Sequence, residues 1–233
     1  MARSDAYKTA VESPVTAYLN WSSNDKCFTY WNKETSQTAK VALPVTLIHF
    51  DEFATVKGFH DKSNSSIFSN EVKSTKFEEL TVRSYKGGEL AKGLYADIKA
   101  KVNEIGGSYH TSLYALSDGK IINIAMKGAV VQAWSDFAKE SRKSFLGNFI
   151  EINSSLDAKK GSVKYSVPVF TMGKAIPADV STKADESYDA LVAYFKDRKA
   201  NAQSQQSDLV AEEIPALVAS EAPSQDEFDG LPF

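Results

Sequence analysis

A mainly β body with helices, followed by an acidic tail, is what this sequence predicts, and three observations carry that reading. Short alternating runs rich in β-branched and aromatic residues recur through the first 175 positions, with glycine punctuation between them. Three windows instead show apolar residues at helical spacing. Finally, all 27 Lys and Arg lie at or before Lys199, so the last 34 residues carry no basic side chain.

In chain order, the strand candidates are Lys26 to Trp31, Lys40 to Phe50, Phe53 to Phe59, Leu80 to Tyr85, Ser108 to Leu116, Lys120 to Met126, Phe149 to Asn153 and Val163 to Phe170. Gly87-Gly88, Gly106-Gly107, Asp118-Gly119 and Lys160-Gly161 supply turns between them. The first helix, Leu94 to Ile105, places Leu94, Ile98, Val102 and Ile105 on one stripe. The second, Ala129 to Phe145, aligns Val130, Trp134, Phe137 and Ser141, and it is expected to cap an open end or one face of a curled sheet, with Trp134 in the core. A third stripe, Tyr188, Leu191, Val192 and Phe195, follows a capping region at Ser181 to Asp185 and closes the ordered body near Lys199. This string suits an OB-fold-like antiparallel β-barrel, open or closed, with flanking helices; a β-sandwich would produce nearly the same string.

Charge divides the chain at the same place. Seven of the 30 acidic residues follow Lys199, leaving 23 in the body against 27 basic residues, so a body of +4 precedes a tail of −7. Residues 1–199 are therefore read as one domain and 200–233 as a tail of Gln, Ser, Ala, Glu and Pro, which cannot bury enough apolar surface to offset its ordering entropy and is expected to be disordered. As a random coil it would span on the order of 30 Å. Asp208 to Val218 holds enough apolar residues to form a short helix on a partner.

Several classes of chemistry find no support. Cys27 has no partner for a disulfide and sits among aromatics as a small hydrophobe, while His49, His60 and His110 are too far apart for zinc spacing, so neither a metal nor another cofactor is expected. Gly88 to Gly93 has the outer glycines of a phosphate loop, but Leu94 and Tyr95 stand where Lys and Ser or Thr are needed. His49 with Asp51, or His60 with Asp61, lacks the clustered carboxylates of a two-metal nuclease, and no catalysis is expected. The N-terminus does not resemble a signal peptide, and no apolar run approaches the ~18 residues of a membrane span. A cytoplasmic protein without membrane contacts is the expectation.

The chain closes on Asp226, Glu227, Phe228, Asp229, Gly230, Leu231, Pro232 and Phe233. Physically this is a peptide ligand: the Phe233 ring can fill an apolar pocket, its α-carboxylate can pair with a basic residue at the rim, and Pro232 limits the freedom lost on binding. The tip resembles the acidic C-terminus of bacterial single-stranded-DNA-binding proteins, with Gly230 where an acidic residue is common. Taken with the larger mixed body, the whole is similar to bacteriophage single-stranded-DNA-binding proteins. That resemblance implies an oligonucleotide-binding fold, no catalysis, host-cytoplasmic action in DNA replication, recombination and repair, and a tail that contacts replication or recombination proteins and competes with DNA for the protein's own cleft.

Nonspecific binding of single strands needs cations along a groove and flat rings for stacking. Two segments interleave them. One runs from Lys57 through Phe59, His60 and Lys62 to Phe68, where a strand gives way to a polar loop; in the other, Arg83 and Tyr85 share a strand face beside Lys86. Trp31 and Lys164 support them, with Lys26, Phe28, Tyr30 and Tyr165 nearby. At each ring, packing in the core competes with base stacking as the explanation. A mediator that carries the tail without coating DNA, an enzyme such as a nuclease and a structural virion protein are the rival readings. Site size, DNA-versus-RNA preference and oligomeric state, a homodimer included, stay open.

Overall fold

The structure, a computed structural model, describes residues 12–204, with side chains placed as far as Arg198; the acidic tail from Gln205 and its tip lie outside the described residues. The described chain is mainly β with three helices. Its strands are β1 (Val15–Ser22), β2 (Cys27–Asn32), β3 (Gln37–Val41), β4 (Val45–His60), β5 (Ser65–Ser69), β6 (Leu80–Ser84), β7 (Gly88–Gly93), β8 (Gly107–Ser117), β9 (Lys120–Lys127), β10 (Asn148–Lys160) and β11 (Val163–Ala175). The helices are α1 (Tyr95–Glu104), α2 (Ala129–Ser141) and α3 (Ala178–Ser204).

One mixed sheet runs in the order β3-β2-β1-β9-β8-β4-β5-β6-β7, with β1 parallel to β9, and the β10–β11 hairpin joins it through β10 and the start of β4. The sheet curls. Alternation sends Leu19, Phe28, Leu47, Leu113, Ile122, Ile124, Ile150 and Ile152 inward, where α2 closes the space with Val130, Val131, Trp134 and Ala138. The ladder itself stays open between β1 and β11. There the Trp21 indole donates to the Ser166 carbonyl (2.9 Å), the Ser166 amide to Ser23 Oγ (2.6 Å) and the Ser166 hydroxyl to the Ser23 carbonyl (2.7 Å).

Strand β4 joins the later part of one expected strand, from Val45, to the whole of the next, Phe53 to Phe59, while Lys40 and Val41 of the first belong to β3. A register shift between His49 and Asp51 breaks the alternation there, which makes one strand look like two. Its far half continues into a wing, β4 to β7, whose inner face (Ala54, Val56, Ile67, Leu80, Val82, Ala91) packs under Ile98 and Val102 of α1. The wing folds tightly: a Cβ at Gly58 would sit 2.2 Å from the Gly106 carbonyl, so only glycine permits this approach.

Among the described residues, helix α3 is the element that packs on the outer face of the sheet. Ala184, Leu191 and Phe195 cover Ile48, Phe53, Tyr114, Leu116 and Ile121. It begins directly after Pro177, so the anticipated cap, Ser181 to Asp185, lies inside the helix, where Thr182 Oγ1 donates back to the Ala178 carbonyl instead of capping. It also continues to Ser204, across the expected boundary at Lys199.

Candidate nucleic-acid interface

The wing has one face in the core and one toward solvent, and its pairing decides which side chains share the latter. Lys57 pairs with Phe68, Phe68 with Arg83, and Arg83 with Glu89, so these project side by side across four strands. Phe59 lies two residues beyond Lys57, opposite Ser66, and Tyr85 two beyond Arg83, its amide bonded to the Ser66 carbonyl (3.2 Å). Phe59 and Tyr85 are exposed at 36% and 46%, a large apolar area left in water. Lys57, Phe68 and Arg83 are half-buried.

Two turns rim this face. Lys62 stands exposed in the Asp61–Ser63 turn and Lys86 in the turn after β6. Ser63 Oγ ties the turns together, meeting Ser65 Oγ (2.9 Å), Ser84 Oγ (3.1 Å) and the His60 Nδ1 (2.7 Å). His60, three residues from Lys57, therefore points to the opposite side of the sheet and does not join the face. A Cβ at Gly87, where the turns meet, would come within 2.4 Å of Ser84 Oγ and displace that hydroxyl from its bonds to the Gly87 amide and Ser63.

Toward the centre of the sheet the same face becomes a polar floor. Ser108 is paired with Lys57, and His110 lies between Thr55 and Lys127. Burial, with Lys57 and Lys127 nearby, pulls the His110 pKa down to about 3, so its ring is neutral. Burial likewise pulls Lys57 down, opposed by the Glu71 carboxylate. Glu71 accepts the Ser112 hydroxyl (2.6 Å) and the Tyr114 hydroxyl (2.9 Å) and faces Arg198 of α3 at 3.9 Å. The Lys57 ammonium has no hydrogen bond or ion pair among the described residues; its carbonyl accepts the Ser108 hydroxyl (3.2 Å). A half-buried ammonium beside two rings thus has no anion in contact with it among the described residues.

The remaining sequence candidates are not brought to this cluster. Trp31 is half-buried on β2, with β1, β9 and β8 between it and β4. Lys164 is exposed on the β10–β11 hairpin, which pairs with the Val45–Leu47 end of β4, far from Lys57. Phe28 is fully buried against Trp21, Tyr30 packs on the core under α2, and Lys26 pairs with Asp157 at 2.7 Å. Sequence reasoning passed over Lys127 and Arg198. Position parity on β9 would have signalled Lys127, but Arg198 reaches Glu71 only through the docking of α3.

His49 packs against Trp134 and Phe145 while Asp51 pairs with Lys73, so they do not form a joint acid–base site. Among the described residues no cluster of His, Cys, Asp or Glu could hold a metal ion, and no helix is long and apolar enough to cross a membrane. Compared with known family models, curated proteins and solved structures, the chain matches none.

Proposed function

We propose that the protein binds single-stranded DNA without strong sequence preference through the outer face of the β4–β5–β6 wing, and that its acidic tail recruits replication or recombination proteins. One observation carries the reading: Lys57, Phe59, Phe68, Arg83 and Tyr85, drawn from three strands, share one solvent-facing surface whose reverse is core. Cations beside half-exposed rings are what a charged, stacked polymer requires, and each stacked base contributes about 1–3 kcal/mol. The resemblance to bacteriophage single-stranded-DNA-binding proteins implies the same activity, binding without catalysis.

The barrel reading is part of this proposal. What supports an OB-type topology is the order β4-β8-β9, then α2 over the core, then the β10–β11 hairpin returning antiparallel to β4. On that reading β5 to α1 is an insertion between the first two barrel strands, and β1 fills the closing gap. The loops through which such barrels hold oligonucleotides then correspond to the wing and to the hairpin that carries Lys164.

The test is a gel-shift titration of the full chain with single-stranded and duplex DNA at low and moderate salt. Preferential binding of the single strand, weakening as salt rises, is expected. Equal affinity for duplex would sink the proposal, and no binding at low salt would favour the mediator reading.

A further inference from the structure

At the opposite end of the outer face from the wing, a cavity of about 330 Å3 opens between the β8–β9 turn and the first turns of α3. Ile48, Leu116, Phe149 and Val180 line it as apolar walls, with Asp118 and Lys183 also on its lining. Lys183 is exposed and has no ion pair among the described residues. The volume lies at the small end of ligand pockets, about 300–1,000 Å3, which suits one or two side chains better than a cofactor. An apolar hole beside a spare ammonium is the complement of an aromatic residue bearing a free carboxylate.

We propose that this cavity is a docking site for the chain's own last residues, Leu231, Pro232 and Phe233. The Phe233 ring would enter between Phe149 and Val180, and its α-carboxylate would meet Lys183. Chain length supports this occupant. From Lys183 to the end of α3 at Ser204 is 21 residues, about 32 Å of helix. The 29 residues from Gln205 to Phe233, with the coil statistics their composition predicts, span about 30 Å. Effective concentration is highest when the span of the linker matches the distance to be bridged, so own-chain capture is favoured over capture from a neighbour.

The consequence differs from competition with DNA. Ile48 and Lys57 lie nine residues apart on β4, about 30 Å, so a tip held here withholds itself from partners without occupying the wing. The tip then exchanges between a parked and a presented state.

A photo-crosslinking phenylalanine analogue, p-benzoylphenylalanine, in place of Phe233 of the full chain reads this directly, with no nucleic acid present; its outcome is thus separate from that of the DNA-binding reading. Crosslinks to peptides containing Ile48, Phe149 or Val180, at monomer mass, are expected. Lys183→Glu should reduce their yield about two- to fivefold, the size of one exposed ion pair, and Thr46→Trp, which fills the mouth from an exposed position, should abolish them. Crosslinks on the wing, none to the body, products at dimer mass, or a yield indifferent to both substitutions would each overturn the proposal.

Discussion

The two halves of β4 follow one alternation rule in different surroundings. At its beginning, Val45 and Leu47 enter the main hydrophobic core under α2, and Ile48 on the other side is covered by α3. At its end, Val56 is sealed under α1, but Lys57 and Phe59 face a surface that no element of the described residues covers. Where both faces are covered, an aromatic ring such as Trp134 is explained by packing alone. Where one face is bare, rings at 36% and 46% exposure forfeit apolar burial, which ordinary folding does not favour. A residue pattern thus acquires a functional meaning only from what lies over it.

The largest effect that can test this contrast comes from the covered half. Trp134 touches His49, Phe137, Phe145 and Phe170, and its indole N–H donates to Glu52 at 2.7 Å. Trp134→Ala should lower stability by about 3–5 kcal/mol, through the cavity and the unpaired carboxylate oxygen. Urea unfolding followed by circular dichroism measures it; a loss under about 1 kcal/mol would mean the core under α2 is not what holds the fold.

His110, on the floor between the two halves, gives the next effect. Its pKa falls from an ordinary 6.5 to about 3 in the fold, chiefly by burial and then by Lys57 and Lys127, against the Ser108 carbonyl. Between those values the unfolded chain takes up a proton that the native chain refuses, so stability should rise with pH from about 3 to about 6.5 and flatten above. The total is on the order of a few kcal/mol. His110→Gln should flatten the profile in this window; an unchanged slope would assign acid sensitivity to other groups.

Substitutions on the bare face should separate binding from stability. Tyr85→Ala and Phe59→Ala are each expected to weaken binding of oligo-dT by about 1–3 kcal/mol, between about fivefold and 150-fold. Loss of Tyr85 should leave stability within about 0.5 kcal/mol, as for exposed positions generally. Equal losses in both quantities would make the rings structural and remove the contrast between the halves of β4.

How much of this was legible beforehand depended on whether local pattern or pairing decides. Helix α2 was readable because Val130 and Trp134 recur at helical spacing. Strand β5 was not, because its buried positions include Ser65 and Ser69, whose hydroxyls are satisfied inside, Ser69 Oγ accepting the Val56 amide at 2.8 Å; the segment therefore reads as a polar loop. Strands β1 and β7 were also passed over, and Gly88 at φ +70° opens β7 where a turn alone was expected. At the site, Lys57 and Phe59 could be grouped by parity, which should also have set His60 on the other face. The union of Lys57, Phe68 and Arg83 depends on register between strands. So does the separation of Trp31 and Lys164 from them, and no single segment encodes either.

The smallest effect is the most specific to phosphate. Arg83 stands between Phe68 and Glu89, with its guanidinium 4.0 Å from the Glu89 carboxylate and more than a third of each side chain in water. That pair is weak enough to exchange for a phosphate oxygen. If Arg83 contacts one phosphate, Arg83→Ala should lessen the slope of log affinity against log salt by about 0.7, the single-strand counterion value. Glu89→Gln, which frees the arginine, should raise affinity at low salt without altering ring contacts. A slope unchanged by Arg83→Ala, with affinity still reduced, would make the arginine a support for Phe68 and leave Lys57, Lys62 and Lys86 to hold the backbone.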